Sequence, residues 1–251
     1  MKKIAFTTLG CRFNQHETEE MEQSLRGVLQ VVPFTMDADI YVINTCTVTG
    51  KSDHKCRQVI RNTAIRAPNS KLVVTGCYAE TKGDELGKMA GVSLVVGNLA
   101  KSNILGSLKE LYQNAPEKSR PFQGGEGDLP DAFPVGVIRN SSRRTSAYLK
   151  VQTGCDMACS YCIVSVARGK GQSNPVLNVK KGVEELVRVG VNEIVLTGIN
   201  LGCYGQGSGV TLGAVERFPV KSIDLVEISP AVIEGSRFFS PFNHRSLDDP
   251  R

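Results

Sequence analysis

The first hundred residues alternate short apolar runs with polar segments of helical length. Four runs are rich in Val and Ile and are typical of buried strands: KKIAFTTLG, ADIYVINT, SKLVVTG and VSLVVGN. The segments between them are NQHETEEMEQSLRGVLQ, KSDHKCRQVIRNTAIRA and YAETKGDELGKMA. Strands that alternate with helices at this spacing predict a doubly wound α/β domain, in which helices cover both faces of a parallel sheet.

A segment without periodicity divides the chain. NAPEKSRPFQGGEGDLPDAFPVG collects Pro, Gly and charged residues, as linkers do. After it, a strand (SAYLKVQTG), a helix (PVLNVKKGVEELVRVG) and a second strand (VNEIVLTG) begin another βα series. We therefore predict an N-terminal domain over residues 1–115, a linker over 116–140 and a second α/β region over 141–251. GQGSG, further on, lacks the Lys-Ser/Thr of a phosphate-binding loop.

The composition constrains the cellular compartment that we expect for the protein and the kinds of partner that it could bind. With 251 residues, 41% of them hydrophobic, the chain can bury one or two cores. It has no apolar run long enough to cross a bilayer and no secretory leader pattern, so we expect a cytoplasmic protein without a membrane partner. In the cytosol, eight cysteines indicate metal or redox chemistry rather than disulfides. A net charge of +5 permits a nucleic-acid partner but is weak evidence for one.

Three cysteines of the first domain each follow a predicted strand. Cys11, Cys46 and Cys77 occur in TLGC, INTC and VTGC. Because the carboxyl ends of parallel strands meet at one edge of a sheet, these thiols are expected to converge on a metal site. The alternative is that each is a small buried residue that closes its strand. We assign that structural role to Cys56, in a helical segment, and to Cys203, although Cys203 follows a predicted strand.

A second triplet has the spacing C-x-x-x-C-x-x-C. Cys155, Cys159 and Cys162 follow the strand YLKVQTG, in the kind of loop where α/β folds carry their chemistry. A structural zinc site needs a fourth Cys or His, and none is close in the sequence. Three thiolates on a 4Fe–4S cluster would leave one iron open to a substrate or cofactor. Zinc completed by a distant ligand stays the alternative.

These motifs carry a family resemblance. The second triplet, with the aromatic Tyr161 before its last cysteine, resembles the cluster loop of radical S-adenosylmethionine (SAM) enzymes. Up to about residue 204 the chain resembles the radical SAM methylthiotransferases, in the stretches TTLGCRFNQHETEEM, NTCTVTGKSDHK, VTGCYAE, AYLKVQTGCDMACSYCIVSVARGKGQS and VLTGINLGCYG. NTCTVT and GCYAE resemble the branch that modifies threonylcarbamoyladenosine beside the tRNA anticodon.

The resemblance implies two 4Fe–4S clusters and SAM as cofactors. Cys155, Cys159 and Cys162 would hold the SAM cluster, and Cys11, Cys46 and Cys77 an auxiliary cluster that carries the sulfur to be inserted. The residues implied to bind the SAM cofactor are Tyr161, Arg168, Thr197 and Gly198. A solvated basic turn explains Arg168 equally well, and a strand-ending turn explains Thr197 and Gly198 nearly as well.

The implied reaction converts N6-threonylcarbamoyladenosine in tRNA to its 2-methylthio derivative. The implied partners are tRNA, SAM, an electron donor and a sulfur donor. A basic segment with Arg139, Arg143 and Arg144 is a candidate for contacts with tRNA phosphates, although charge runs are usually only solvated. Two alternatives stay open: a non-catalytic protein that binds an Fe–S cluster or zinc, and a methylthiotransferase that acts on a protein side chain.

The chain departs from the family pattern in two places. Ser165 and Val166 stand where the family usually has a Pro and an aromatic residue. A complete (β/α)8 barrel takes about 250 residues, far more than follow the linker, so we expect a partial radical SAM barrel. Missing barrel strands leave unpaired edges, which predicts poor solubility or association of the isolated chain.

Overall fold

The structure is a computed structural model that describes residues 1–113, 146–157, 159–160, 162–191, 193–205 and 223–226. Contacts between Cα atoms divide the chain into two compact units. The N-terminal unit comprises residues 1–128 together with 159–168, and the second unit comprises 129–158 together with 169–251.

The N-terminal unit is built on a five-stranded parallel sheet with the strand order β2-β1-β3-β4-β5. Its strands are β1 (Lys3–Thr8), β2 (Gln30–Val32), β3 (Ile40–Thr45), β4 (Lys71–Gly76) and β5 (Val92–Val96). Its helices are α1 (Arg12–Ser24), α2 (Gly50–Arg66), α3 (Cys77–Thr81), α4 (Gly83–Gly87), α5 (Ile104–Gln113) and α6 (Val164–Arg168). This strand order places the topological switch point between β1 and β3, where doubly wound folds bind their ligands.

Both faces of this sheet are covered, as strands buried on two sides require. One core contains Tyr41 and Ile43 of β3 with Ile60 of α2. The other contains Val42 of β3 with Met21 of α1 and further residues of α5. Because successive side chains of a strand point to opposite faces, β3 contributes to both cores. The predicted doubly wound α/β fold is confirmed.

Helix α1 buries polar side chains in its first half. Asn14, His16, Glu17 and Thr18 are all buried, whereas an apolar residue, Met21, is buried further along the helix. Buried polar groups need partners. This half of α1 follows the carboxyl end of β1, so it brings hydrogen-bonding groups to the edge of the sheet where Cys11 lies.

Two predicted segments differ in detail from the structure. The segment predicted as one helix over residues 14–30 ends at Ser24, and the edge strand β2 follows it at Gln30. The segment YAETKGDELGKMA forms two short helices, α3 and α4, which separate at Lys82. Gly83 and Gly87 are poor helix formers, which explains why a long helix does not persist there.

The second unit contains a three-stranded parallel sheet of β6 (Ser146–Lys150), β9 (Glu193–Thr197) and β10 (Ile223–Val226), in the order β10-β9-β6. Helix α7 (Val176–Arg188) buries Val179, Val183 and Leu186 against Leu149 and Leu196 of this sheet. An antiparallel pair, β7 (Gln152–Thr153) and β8 (Gln172–Ser173), brackets the loop that begins with Cys155. This is the start of a βα series, as the sequence predicts.

No helix in the described ranges is both long and apolar enough to span a membrane.

Cys56 is expected to resist alkylation while the chain is folded. It lies on α2 with no exposed surface, and burial raises the pKa of its thiol to about 11. Thiolates are the reactive species, so at pH 8 the neutral Cys56 should stay unlabelled by iodoacetamide, and labelling should rise only as the pH approaches 11. Peptide mass spectrometry checks this, with the exposed Cys159 as the internal control. Equal labelling of Cys56 and Cys159 at pH 8 would contradict it.

Candidate metal centre

Cys11, Cys46 and Cys77 directly follow or closely follow the carboxyl ends of three adjacent strands, β1, β3 and β4. Neighbouring strands lie about 4.8 Å apart, so their ends bring the three residues to one edge of the sheet. Cys46 and Cys77 are buried, and Cys11 is partly exposed. Cys11 and Cys46 flank the topological switch point. The structure thus brings together the residues of the first predicted metal site.

Glycine precedes two of these cysteines for steric reasons. Gly10 has φ +113° and Gly76 has φ +103°, a region that disfavours any residue with a Cβ. A Cβ on Gly10 would lie 2.6 Å from the Cβ of Cys46, and one on Gly76 would lie 2.2 Å from the carbonyl oxygen of Thr45. Both glycines therefore permit the close approach of the cysteine-bearing loops.

The electrostatics of Cys46 reflect the nearness of the other two thiols. Burial raises the pKa of the Cys46 thiol above its ordinary value, and Cys77 and Cys11 raise that pKa further. Among the described residues, no three His, Cys, Asp or Glu side chains are arranged to hold a single metal ion. In a 4Fe–4S cluster each thiolate binds a different iron atom. The sulfur ligands of a cluster therefore lie farther apart than the ligands of a single metal ion.

Asn14 joins the loops that carry Cys11 and Cys46. Its buried side-chain amide donates to the carbonyl oxygens of Leu9, at 3.0 Å, and Thr45, at 2.9 Å. Its own backbone carbonyl accepts a hydrogen bond of 2.9 Å from the Asn44 side chain. These bonds fix the ends of β1 and β3 relative to each other.

Arg168, the last residue of α6, is buried beside Cys77. Its Nε donates to the Cys77 Sγ at 3.1 Å, and one terminal nitrogen donates to the Asn14 Oδ1 at 2.6 Å. The guanidinium also forms an ion pair with Glu17, and it stacks 4.7 Å from the centre of the Phe13 ring. All these contacts lie within the N-terminal unit.

Lys101 is a second buried cation in the same network. Its Nζ lies 2.6 Å from the Glu17 Oε2 and donates to the Asn44 Oδ1 at 3.2 Å. Burial lowers the pKa of Lys101, which Glu17 opposes. Burial also acts to lower the pKa of Arg168, but Glu17 and the Cys77 thiol outweigh it and the pKa is raised.

This network contains more positive than negative charge. Among the Lys, Arg, Asp and Glu side chains that the structure describes, only Arg168, Lys101 and Glu17 are buried, so two cations share one carboxylate. Buried charge is costly unless it is paired. An anionic group at Cys77 would balance the excess, and the thiolate ligands of an iron–sulfur cluster supply such charge. The residues present therefore fit a cluster held by the first cysteine triplet.

Cys155 of the second triplet follows β7 in the second unit. Its backbone N–H donates to the Gly169 carbonyl at 3.0 Å, and its Sγ accepts a hydrogen bond of 3.5 Å from the Asn200 side chain. Gly154 before it has φ +68°, and a Cβ there would lie 1.8 Å from the Lys170 carbonyl oxygen. Cys155 thus repeats the glycine–cysteine pairing seen at Cys11 and Cys77.

The other two cysteines of this triplet belong to the N-terminal unit. Cys159 is exposed and Cys162 is partly exposed, and the Cys162 N–H donates to the Cys159 carbonyl at 3.1 Å. The assignment of the three residues to one cluster thus stays a prediction from their spacing.

Gln152 uses its whole side-chain amide to join two loops of the second unit. Its Oε1 accepts from the backbone N–H groups of Ile199, at 2.9 Å, and Asn200, at 2.8 Å. Its Nε2 donates to the carbonyls of Thr153, at 2.9 Å, and Gly154, at 2.8 Å. The residues after β9 are thereby held beside the Cys155 loop.

Thr197 is the last residue of β9, and Gly198 follows it, next to this connection. Thr197 is buried, and its hydroxyl donates to the Leu149 carbonyl at 3.4 Å. A Cβ on Gly198 would lie 2.5 Å from the Leu201 side chain and 3.1 Å from the Gln152 Cβ, so a larger residue would require the Leu201 side chain to move.

A cavity of about 510 Å³ lies in the second unit, lined by Cys155, Gln152, Asn174 and Tyr204 among others. Asn174 is buried, and its Oδ1 has no hydrogen-bond partner within the described part of the chain. Burial raises the pKa of Tyr204 to about 12, and its protonated hydroxyl donates to the Asn174 carbonyl at 2.6 Å. A cavity of this volume with a few polar groups is typical of small-molecule sites.

Some of the predicted residues lie outside the part of the chain that the structure describes. Tyr161 and the basic segment with Arg139, Arg143 and Arg144 lie outside the described residues. The interpretation of Arg168 as a solvated turn is wrong, because its side chain is 3% exposed. Its proposed contact with the SAM cofactor stays a prediction. Cys56 is fully buried, as predicted, and Cys203 is partly exposed in a short 3-10 helix.

The sequence did not single out Glu17, Lys101, Asn14, Gln152 or Asn200, which organise the two sites. Glu17 and Asn14 lie in the quoted motif TTLGCRFNQHETEEM, but polar residues in a helix ordinarily face water. The available signal was their place in the quoted motifs, which Gln152 in AYLKVQTGCDMACSYCIVSVARGKGQS and Asn200 in VLTGINLGCYG share.

Two family models match consecutive parts of the chain. Residues 3–97 match the uncharacterized protein family UPF0004, and residues 149–208 match the radical SAM superfamily. The threonylcarbamoyladenosine tRNA methylthiotransferases of Aquifex aeolicus and Bacillus subtilis are each 36% identical to the chain, over 90% and 93% of it. The chain belongs to the radical SAM methylthiotransferase family.

This methylthiotransferase chain spans 55% and 54% of the length of those two relatives. A tRNA-2-methylthio-N(6)-dimethylallyladenosine synthase from Ruegeria is 33% identical over 83% of the chain. Membership of the radical SAM superfamily implies SAM and a 4Fe–4S cluster as cofactors.

Solved structures support the fold. A radical SAM methyltransferase, TsrM from Kitasatospora setae, solved with tryptophan and a SAM analogue, aligns with a TM-score of 0.57 at 12% identity, over 83% of this chain and 50% of its own. The same enzyme with cobalamin and a [4Fe–4S] cluster aligns with a TM-score of 0.55. At this identity the likeness concerns the fold alone.

Proposed function

We propose that this methylthiotransferase converts N6-threonylcarbamoyladenosine beside the tRNA anticodon to its 2-methylthio derivative. The observation that carries the proposal is the meeting of Cys11, Cys46 and Cys77 at the switch-point edge of the sheet, in a chain that also carries the C-x-x-x-C-x-x-C loop. The two relatives that are 36% identical over 90% and 93% of the chain bear the name of this reaction. The partners would be tRNA, SAM, an electron donor and a sulfur donor, in the cytoplasm.

Each cysteine triplet would hold one 4Fe–4S cluster with one open iron. Cys155, Cys159 and Cys162 would bind the SAM cluster, and Cys11, Cys46 and Cys77 the auxiliary cluster. When bound, the clusters and SAM supply the radical and sulfur chemistry that replacement of an aromatic C–H needs, which no side chain provides.

The chain's own residues would position these groups. Asn14 holds the loops of Cys11 and Cys46 together, and Gln152 holds the loop after β9 against the Cys155 loop. The cavity beside Cys155 would receive SAM, with Thr197 and Gly198 at the end of β9 in the same unit, and the role of Tyr161 in SAM binding rests on the family resemblance alone. The unpartnered Oδ1 of Asn174 would accept a hydrogen bond from an N–H or O–H of the ligand.

Iron analysis tests the two-cluster proposal. After anaerobic reconstitution we expect about eight irons per chain, falling to about four when Cys155, Cys159 and Cys162 are changed to Ala, and to about four when Cys11, Cys46 and Cys77 are changed instead. Iron and acid-labile sulfide are measured on the same samples. Cys56→Ala is the matched control for a cysteine that contacts a proposed ligand without being one. Its thiol donates to the Cys46 carbonyl at 3.3 Å, and the variant should keep the full iron content because the ligand set is unchanged.

The outcome separates the alternatives. Zinc in place of iron, or no metal, would favour the non-catalytic interpretation. Deoxyadenosine formed from SAM under strong reduction, and lost when Cys155, Cys159 and Cys162 are changed to Ala, would support catalysis.

The substrate is tested in cells that lack the gene. We expect their tRNA to contain threonylcarbamoyladenosine without the 2-methylthio group, by nucleoside mass spectrometry, and expression of the intact gene to restore it. Unchanged methylthiolation would refute the tRNA assignment and favour a protein substrate.

A further inference from the structure

Arg168 donates its Nε–H to the sulfur of Cys77, although it belongs to the loop that carries the other cysteine triplet. We infer that Arg168 is a positioning residue that raises the reduction potential of the cluster held by Cys11, Cys46 and Cys77. The inference rests on the proposed function, because it requires that cluster.

The contact is held rigidly from several sides. The two terminal nitrogens of the guanidinium donate hydrogen bonds to Glu17 and Asn14. The guanidinium plane stacks on the Phe13 ring. The planar fork of an arginine keeps such contacts in a fixed geometry, which a flexible lysine does not reproduce. The backbone of α6 is also tied down, since the Ala167 carbonyl accepts a hydrogen bond from the Asn98 side chain.

The net positive charge of the network formed by Arg168, Lys101 and Glu17 would also raise the reduction potential of the cluster. Potentials of iron–sulfur clusters depend on net charge and on hydrogen bonds to the sulfur ligands. A positive charge and an N–H donor at a thiolate stabilise the reduced, more negative state. Glu17 neutralises only part of this effect, because it is shared with Lys101. Because the Arg168 guanidinium is buried, solvent does not screen the positive charge that Glu17 leaves uncompensated.

The experiment uses the full chain with Cys155, Cys159 and Cys162 changed to Ala, so that one cluster contributes. The midpoint potential is measured by redox titration with electron paramagnetic resonance, and iron content and circular dichroism are recorded on the same samples. In this background Arg168→Gln is expected to lower the potential. Arg168→Lys should lower it less, because the charge stays while the Nε–H···S bond is lost. Arg66→Gln, which removes an arginine from the far end of α2, should leave it unchanged.

If both Arg168 variants kept the full iron content of the parent and their potential were also unchanged, the inference would be overturned while the proposed function would stand. Absence of a cluster in the parent background would overturn it together with the auxiliary cluster of the proposed function. If Arg168→Gln fails to fold, Arg168→Lys decides, since it preserves a cation opposite Glu17. Loss of fold in both variants would reduce Arg168 to a structural role.

Discussion

Gly76→Ala should lower the free energy of unfolding of the N-terminal unit by more than about 4 kcal/mol. The backbone of Gly76, with φ +103° and ψ −173°, lies in a region that is essentially restricted to glycine and alone costs a residue with a Cβ about 1–3 kcal/mol. The new Cβ would also lie 2.2 Å from the Thr45 carbonyl oxygen and 2.5 Å from its nitrogen, both backbone atoms of the neighbouring strand β3. Backbone cannot move aside as a side-chain tip can, so the carboxyl ends of β3 and β4 must move apart. Urea unfolding followed by circular dichroism measures the loss.

Gly27→Ala is the matched control for this change. Gly27 also has a positive φ, +83°, but a Cβ there would meet no atom within 4 Å. Its substitution should therefore cost only the backbone strain of about 1–2 kcal/mol. If Gly76→Ala cost no more than Gly27→Ala, the close approach of the two strand ends would be refuted.

Glu17→Leu should destabilise the N-terminal unit by about 3–5 kcal/mol. The substitution removes the carboxylate that Arg168 and Lys101 share, and both cations are almost fully buried. When a buried charge loses its partner, no attractive interaction offsets the free energy that its desolvation costs. Chemical denaturation of the variant and the parent, both prepared without metal, measures the difference.

The control is Glu184→Leu, on the exposed face of α7. The Lys180–Glu184 pair is 3.8 Å apart, and its side chains are 48% and 61% exposed. Exposed pairs of this kind contribute less than about 1 kcal/mol, so the variant should unfold almost like the parent. Equal losses in the two variants would show that the buried network does not stabilise the unit.

The sequence was sufficient to predict the sheet and the positions of its cysteines. The apolar runs gave β1, β3, β4 and β5, and the edge rule for parallel strands then placed Cys11, Cys46 and Cys77 together. The strand β2 was not predicted, because its three residues are too short a run to stand out after a helix.

The polar network behind the cysteines could not be predicted in the same way. Glu17 and Lys101 are separated by 84 positions, and Arg168 by 151 from Glu17. Nothing in their local sequence distinguishes them from solvated charges. Only tertiary structure reveals that two cations and one carboxylate share a buried site.

The glycine that precedes Cys11, Cys77 and Cys155 has a consequence for protein engineering. At each of these places the backbone adopts a positive φ at the glycine, and any side chain there would collide with a neighbouring loop or strand. A designer who grafts such a cysteine edge onto another parallel sheet must therefore transfer the dipeptide rather than the thiol alone. A library that randomises the positions before Cys11, Cys77 and Cys155 should return glycine almost exclusively.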